Sequence, residues 1–238
     1  MTTRSPRPAR VGRPRAVSDT EPDTSPRDQI LRKAAALFVE QGFGATSTRA
    51  IAEAVGMRQA SLYYHFAGKD EILVELLETS VRPSVEIARA LVDTVGDDAS
   101  AAAATLYALA LVDVRTLAGT PHNIGTLYLL PEVQDARYDT FRGDRDRLQA
   151  IYGRLGTLAR ASVPGRSSAG PGEALLGAVL IQLVEVVIQL RRASTPDGLI
   201  DGPAIASSCL RLLGLDDAAI TTAARAAEEL LPEVLLPE

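Results

Sequence analysis

An all-α fold is what this sequence predicts, and three observations carry that expectation. Alanine and leucine dominate a chain of 238 residues that is 46% hydrophobic, whereas β-branched runs are scarce. Apolar residues recur at three- and four-residue spacing behind Ser, Thr and Asp, the period and the caps of helices with one buried face. One stretch, residues 46–66 (TSTRAIAEAVGMRQASLYYHF), reads as two short helices around a glycine turn. The length suits one large domain or two modest ones and is enough to bury a sizeable core.

Residues 1–24 are rich in Arg, Pro, Ser and Thr without periodic hydrophobics, so a disordered basic arm is expected. Gly12-Arg13-Pro14-Arg15 within it is similar to the core of an AT-hook, which lays arginines into a narrow A·T minor groove. The plainer reading is a solvated tail that only raises local positive charge. Ser25-Pro26-Arg27-Asp28 then announces a helix, with serine at the cap and proline in the first turn. Ile30, Ala34, Leu37 and Phe38 recur on one face of it until Gly42, as a brace for the next two helices.

In 46–66, Ile51, Ala52 and Val55 fall at helical spacing behind Thr46-Ser47-Thr48, and Gly56 is placed to stop the helix in the left-handed conformation. A second helix begins about three residues later. Leu62 and Phe66 lie one turn apart on its buried face, which leaves Gln59, Ser61, Tyr63, Tyr64 and His65 to point elsewhere. This is a helix-turn-helix, whose second helix reads base edges in the major groove.

Ala67-Gly68-Lys69-Asp70-Glu71 opens a long helix with acids in its first turn, where the macrodipole favours them. Ile72, Leu73, Leu76, Leu77 and Val85 give it an apolar face, and Pro83 is expected to kink it or break it at Arg82. Further helices are expected at 100–117, 122–130, 132–161, 173–192, 203–213 and 218–231, with a loop at 163–172 (VPGRSSAGPG). The cluster Arg142, Asp144, Arg145, Asp146 and Arg147 reads as a solvated face, and Cys209 as a small core residue.

The net charge of −5 conceals a division. Residues 1–66 hold 10 Lys/Arg against 6 Asp/Glu, and residues 67–238 hold 15 against 24, so the basic part is the part with the motif. A single cysteine excludes an internal disulfide or thiolate metal cluster and fits a reducing cytoplasm; no metal and no cofactor is expected. No apolar h-region marks a signal peptide near the N-terminus. The longest apolar run, 175–190, carries Gln182, Glu185 and Gln189 and is shorter than the roughly twenty residues a bilayer requires, so a buried helix and no membrane span are expected.

A basic arm, a helix ending Ala36-Leu37-Phe38, then Gly42-Phe43, Thr46-Ser47-Thr48 with Ile51-Ala52, Val55-Gly56, and Leu62-Tyr63-Tyr64-His65-Phe66 followed by Lys69 together resemble the TetR-type (TetR/AcrR) transcriptional regulators. The likeness runs over 25–80, and the remainder resembles the family only in being helical. It implies a three-helix DNA-binding domain at 25–80, joined by a long helix to a larger helical effector-binding and dimerisation domain at 81–238. It also implies a cytoplasmic homodimer, not an enzyme, that binds an inverted-repeat operator in double-stranded DNA. Such regulators usually repress and are released by a small-molecule effector.

By position, the resemblance makes Thr48, Arg49, Tyr63, Tyr64 and Lys69 backbone-positioning contacts, and Gln59, Ser61 and His65 readers of base edges. Arg58 would take a guanine or a phosphate. Phosphate contacts fix register, whereas a side chain that reaches a base discriminates by ~1–3 kcal/mol. Tyr63 also has a plain structural reading, packing against the first helix, and so does His65.

Helices 173–192 and 203–213 are too apolar to be left in water and are expected to pair with their symmetry mates in a four-helix interface; the other reading makes them internal core. For an effector pocket the polar candidates are Tyr107, Arg115, His122, Tyr128, Gln182 and Glu185. Arg115 in an otherwise apolar helix would suit an anionic ligand, with Asp113 or Glu185 as its partner if buried. An enzyme would have only His122 with Asp113 or Asp135 as a dyad, without a nucleophile motif or metal cage. A helical ligand-binding or interaction protein without sequence-specific DNA binding is the remaining rival. Duplex binding that weakens steeply with salt separates the regulator from both.

Overall fold

Local capping sets the N-terminal helices. In the computed structural model, which describes residues 25–92, 95–161, 163, 171–193 and 199–231, Ser25 opens α1 (Pro26–Gln41) by accepting from the Asp28 backbone N–H. Ser47 opens α2 (Thr48–Val55) in the same way with Ala50, and Gly56 closes it at φ 77°, donating its N–H to the carbonyls of Ala52 and Glu53. Arg58 precedes α3 (Gln59–His65) without a side-chain cap bond. Ile30, Phe38, Ile51, Leu62 and Phe66 are buried together where the three helices meet. The arm at 1–24, with its AT-hook-like Arg13 and Arg15, lies outside the described residues, as does most of the loop at 163–172.

Helix α4 (Lys69–Val92) departs from the expectation at Pro83: it runs through the proline as one element of 24 residues. Proline inside a helix costs about 3 kcal/mol. Val81, Val85 and Ala88 on either side are buried in the same core, and each fully buried aliphatic side chain contributes ~1.5–3 kcal/mol. Packing on both flanks therefore outweighs the lost bond.

Helix α5 (Ala99–Gly119), capped by Asp98, is the hub: every residue from Ala102 to Val114 is buried. Three 3-10 turns follow at Ile124–Leu127, Pro131–Gln134 and Ala136–Tyr138, and only then α6 (Asp139–Ala161). Residues 132–138, expected at the start of that helix, are turns because Pro131 opens one and Asp135, capping Arg137 N–H, opens the next. The chain ends in α7 (Glu173–Arg192), α8 (Gly202–Leu213) and α9 (Asp217–Leu230). Asp201 and Asp216 cap the last two, and Cys209 is buried in α8 as expected.

Helices α6 and α7 touch backbone to backbone. A Cβ added to Gly177 would stand 2.2 Å from the Gln149 carbonyl oxygen, and one added to Gly153 2.3 Å from that of Glu173. Only glycine permits that approach. The charge cluster on α6 is not the solvated face its sequence suggests. Arg142 donates to the carbonyls of Val133 and Asp135, and Arg145 pairs with Glu185 at 2.5 Å while lying 4.6 Å over the Tyr128 ring; Asp146 and Arg147 are the exposed members.

Helices α5 and α7 are each long and apolar enough to cross a membrane. Packed against α4, α6, α7, α8 and α9, α5 is core. Helix α7 buries Leu176, Leu180, Ile181, Val184, Val187 and Ile188 on one face and leaves Leu175, Val179 and Val186 exposed on the other.

Candidate nucleic-acid interface and effector cavity

The outer face of α3 is polar and aromatic because its inner face takes the apolar residues. Leu62 and Phe66 are 0% and 1% exposed, whereas Tyr63 is 50% and Tyr64 89% exposed. A tyrosine that far into water gains almost nothing from burial in this chain. Thr48, Gln59 and Tyr63 are brought together at the junction of α2 and α3. The Gln59 amide donates to Thr48 Oγ1 at 2.9 Å, and Thr48 Oγ1 lies 3.2 Å from the Tyr63 hydroxyl. Tyr63 therefore links the two motif helices.

Arg49 is exposed and held by Glu53 at 2.8 Å, which raises the pKa of its guanidinium through that hydrogen bond. Arg58 and Ser61 are exposed, and half-buried His65 meets the Tyr64 ring edge to face at 5.7 Å. Lys69 stands apart. Its ammonium donates to the carbonyls of Phe43 at 2.9 Å and Thr46 at 3.2 Å and lies 4.4 Å from the Phe43 ring centroid, so it ties the start of α4 to the α1–α2 turn. That turn is also held by buried Thr46, whose hydroxyl donates to the Gly42 carbonyl at 2.9 Å.

Arg27, which sequence reasoning passed over, braces α3 from behind. It ion-pairs with Glu75, donates to the His65 carbonyl at 2.7 Å, and lies 4.1 Å over the Phe66 ring. All three partners are at least 38 positions away in sequence, so no local pattern reveals them.

A second site opens between α4, α5, α6 and α7. Its lining includes Ser80, Ser84, Asp113, Tyr128, Arg145 and Glu185, around about 340 Å³ of empty space counted to its mouth. Of the residues expected there, Tyr128 and Glu185 line it. Gln182 lies in the adjoining cleft, where its amide donates to Glu185 at 2.7 Å. Tyr107 is buried but does not line the cavity, and Arg115 is exposed on α5.

His122 is half-buried beyond the end of α5, and desolvation lowers its pKa, with Arg191, Lys33 and Arg32 adding to the effect and Glu40 opposing it. The two aspartates considered for a dyad with it are engaged elsewhere: the Tyr152 hydroxyl donates to Asp113 at 2.7 Å, and Asp135 pairs with Arg137 at 2.9 Å. Asp113 is buried, and burial pushes its carboxyl up to about 6 against the opposing hydrogen bonds from Ser84 and Tyr152. Its Oδ1 has no hydrogen-bond partner among the described residues.

The first of these sites, two short helices around a glycine turn with an exposed aromatic edge, defines the helix-turn-helix class. Residues 30–76 match the sequence model described as bacterial regulatory proteins, tetR family. The chain is 38% identical to the crystal structure of Mycobacterium smegmatis AmtR, covering 88% of this chain and 96% of that one with a TM-score of 0.76. It belongs to the tetR family.

The HTH-type transcriptional repressor KstR2 of Mycobacterium tuberculosis is 49% identical over 53 residues, 22% of this chain and 26% of that protein. The chain thus spans about a quarter of the length of the curated relatives it matches. The solved structure of ketosteroid transcriptional regulator KstR2 of Mycobacterium tuberculosis covers 81% of this chain and 95% of its own at 21% identity, with a TM-score of 0.64, a likeness of fold.

Proposed function

We propose that this protein is a cytoplasmic transcriptional repressor that binds an inverted-repeat operator as a homodimer and is released by a small molecule, an activity of binding and not of catalysis. The observation that carries the reading is the outer face of α3, with Tyr63 and Tyr64 exposed on a helix whose other face is fully sealed. In this reading Arg58, Ser61, Tyr64 and His65 enter the major groove. Thr48, Gln59 and Tyr63 exchange their mutual hydrogen bonds for phosphates and base edges, and Arg49 adds a phosphate contact. Lys69 acts by positioning the α1–α2 turn.

One recognition helix contacts too few bases to be selective, so two must be held about one helical turn of DNA apart. The surface proposed to do this is the exposed side of α7 with α8. There Ala178, Val179, Leu183, Val186 and Ile205 line an apolar groove, and Leu175 and Leu212 add exposed apolar area. Pairing this face with its symmetry mate gives a four-helix interface. The DNA-binding and effector parts then meet within α4, near residue 80. Because Ser80, Val81 and Ser84 of α4 line the cavity and α4 starts just beyond α3, a ligand that shifts α4 changes the separation of the two recognition helices.

The test is a gel-shift titration of the full chain on its own upstream DNA across salt concentrations. A steep loss of affinity with salt is expected, because phosphate contacts release counterions. Replacing Tyr63 and His65 should weaken binding, and replacing Val179 with arginine should yield monomers that bind poorly. Absence of binding at low salt, or binding indifferent to Tyr63 and His65, removes the reading.

A further inference from the structure

The geometry points to a compact cation rich in N–H donors, of the amidine, guanidine or primary amine class, as the occupant of the α4–α7 cavity, held by Asp113. This deepens the regulator reading and rests on its assignment of the cavity as the effector site. Asp113 is 4% exposed; Tyr152 donates to Oδ2 at 2.7 Å, the nearby Ser84 hydroxyl also favours the carboxylate, and Oδ1 has no hydrogen-bond partner among the described residues although Asp113 lines the cavity. An unmet buried acceptor costs about as much as a lost hydrogen bond, and more when it is charged. A ligand N–H group removes that cost.

The charge in the cavity decides the sign of the ligand. Arg145 and Glu185, the other ionisable residues of opposite charge in the lining, neutralise each other at 2.5 Å, so one carboxylate is left uncompensated. Arg115, which would have drawn an anion, is exposed and outside the lining. The Ser80 and Tyr128 hydroxyls, 3.0 Å apart, and the Ser84 hydroxyl supply acceptors for further N–H groups. Burial lifts the Asp113 carboxyl only to about 6, so it is ionised at neutral pH.

Only about 30 Å³ of the cavity admits a water-sized group, which limits the occupant to a few heavy atoms. Tyr128, Arg145 and Glu185 also line a neighbouring cleft of about 900 Å³, and so form the wall through which such a ligand enters.

Acetamidine, acetamide and acetate share one planar shape and differ in charge, which makes them the probes. Thermal-shift titration of the full chain at neutral pH should show acetamidine binding about tenfold or more tightly than acetamide, the factor expected when a hydrogen bond gains charge assistance. Acetate should give no shift. In Asp113→Asn, checked for folding by circular dichroism, the preference for acetamidine over acetamide should vanish.

Equal stabilisation by acetate, no shift from any of the three, or an acetamidine preference that survives Asp113→Asn would each overturn the assignment. The comparison within the wild-type chain decides the matter even if the variant does not fold. Duplex binding by the same preparation is scored separately. Intact DNA binding without a cation preference removes the ligand class alone, whereas absent DNA binding removes the regulator reading.

Discussion

The guanidinium of Arg27 lies 4.1 Å over the ring of Phe66, and with its bond to the His65 carbonyl it clamps the end of α3 to the first turn of α1. Arg27 stands at the back of the motif, opposite the outer face of α3. Arg27→Ala is therefore expected to weaken duplex binding several-fold by loosening α3, while the slope of affinity against salt stays that of the wild type. A lost phosphate contact would reduce that slope by about one. The gel-shift titration at several salt concentrations separates the two outcomes. Arg27→Lys should recover little, because a lysine cannot stack on the ring and serve both acceptors with one planar group.

Tyr64 makes the opposite prediction. At 89% exposure it contributes almost nothing to the core, so Tyr64→Ala should leave stability within about 0.5 kcal/mol of the wild type and yet reduce DNA affinity. Denaturant unfolding and DNA titration on the same sample check both halves. A variant that binds as well as the wild type would move the recognition surface off this edge of α3.

The range of each interaction decides how much of the fold and the two sites was legible in the sequence. Ser25, Ser47 and Gly56 act on backbone groups within a few residues, so their cap roles are visible in the string itself. Leu62 and Phe66 are one turn apart, and their shared burial follows from helical period. Lys69 was opaque, because the carbonyls that hold it lie 23 to 26 positions earlier. Arg115 could not be placed from the sequence because α5 is buried on every face from Ala102 to Val114 and the covering ends there, which leaves Arg115 the first exposed residue. The same distance problem hid the Arg145–Glu185 pair, whose members are 40 positions apart.

Gly177 tests whether the contact of α6 with α7 is as close as it stands. In a free helix, replacing glycine by alanine is stabilising by about 1 kcal/mol. Here the new Cβ meets the Gln149 carbonyl oxygen at 2.2 Å, an obstacle of backbone that has no rotamer to yield. Overpacking of this kind typically costs ~1–3 kcal/mol, and moving two helices apart would also open the cavity they enclose. Gly177→Ala is therefore expected to lower stability by that order in urea unfolding. Gly143→Ala serves as the control: it lies on the same α6 with open space around its Cβ, and should be neutral or stabilising.

Asp113 gives stability a pH dependence whose sign can be worked out. Its folded-state pKa, lifted chiefly by desolvation and further by Glu185, is about 6, against 3.8 when unperturbed. Below the unperturbed value both states hold the proton, and the carboxyl carries no penalty. As pH rises from there the unfolded chain ionises first, so stability falls until the folded state also ionises near 6, and then levels off. The span corresponds to about 3 kcal/mol, at 1.36 kcal/mol per pH unit. Asn cannot ionise, and its side-chain oxygen can still accept from Tyr152. The stability gap between Asp113→Asn and the wild type should thus move in favour of the variant between pH 4 and pH 6 and stay constant above. A gap that does not change with pH in urea unfolding would mean that the buried carboxyl titrates like one in water, and that something other than a free charge fills the floor of the cavity.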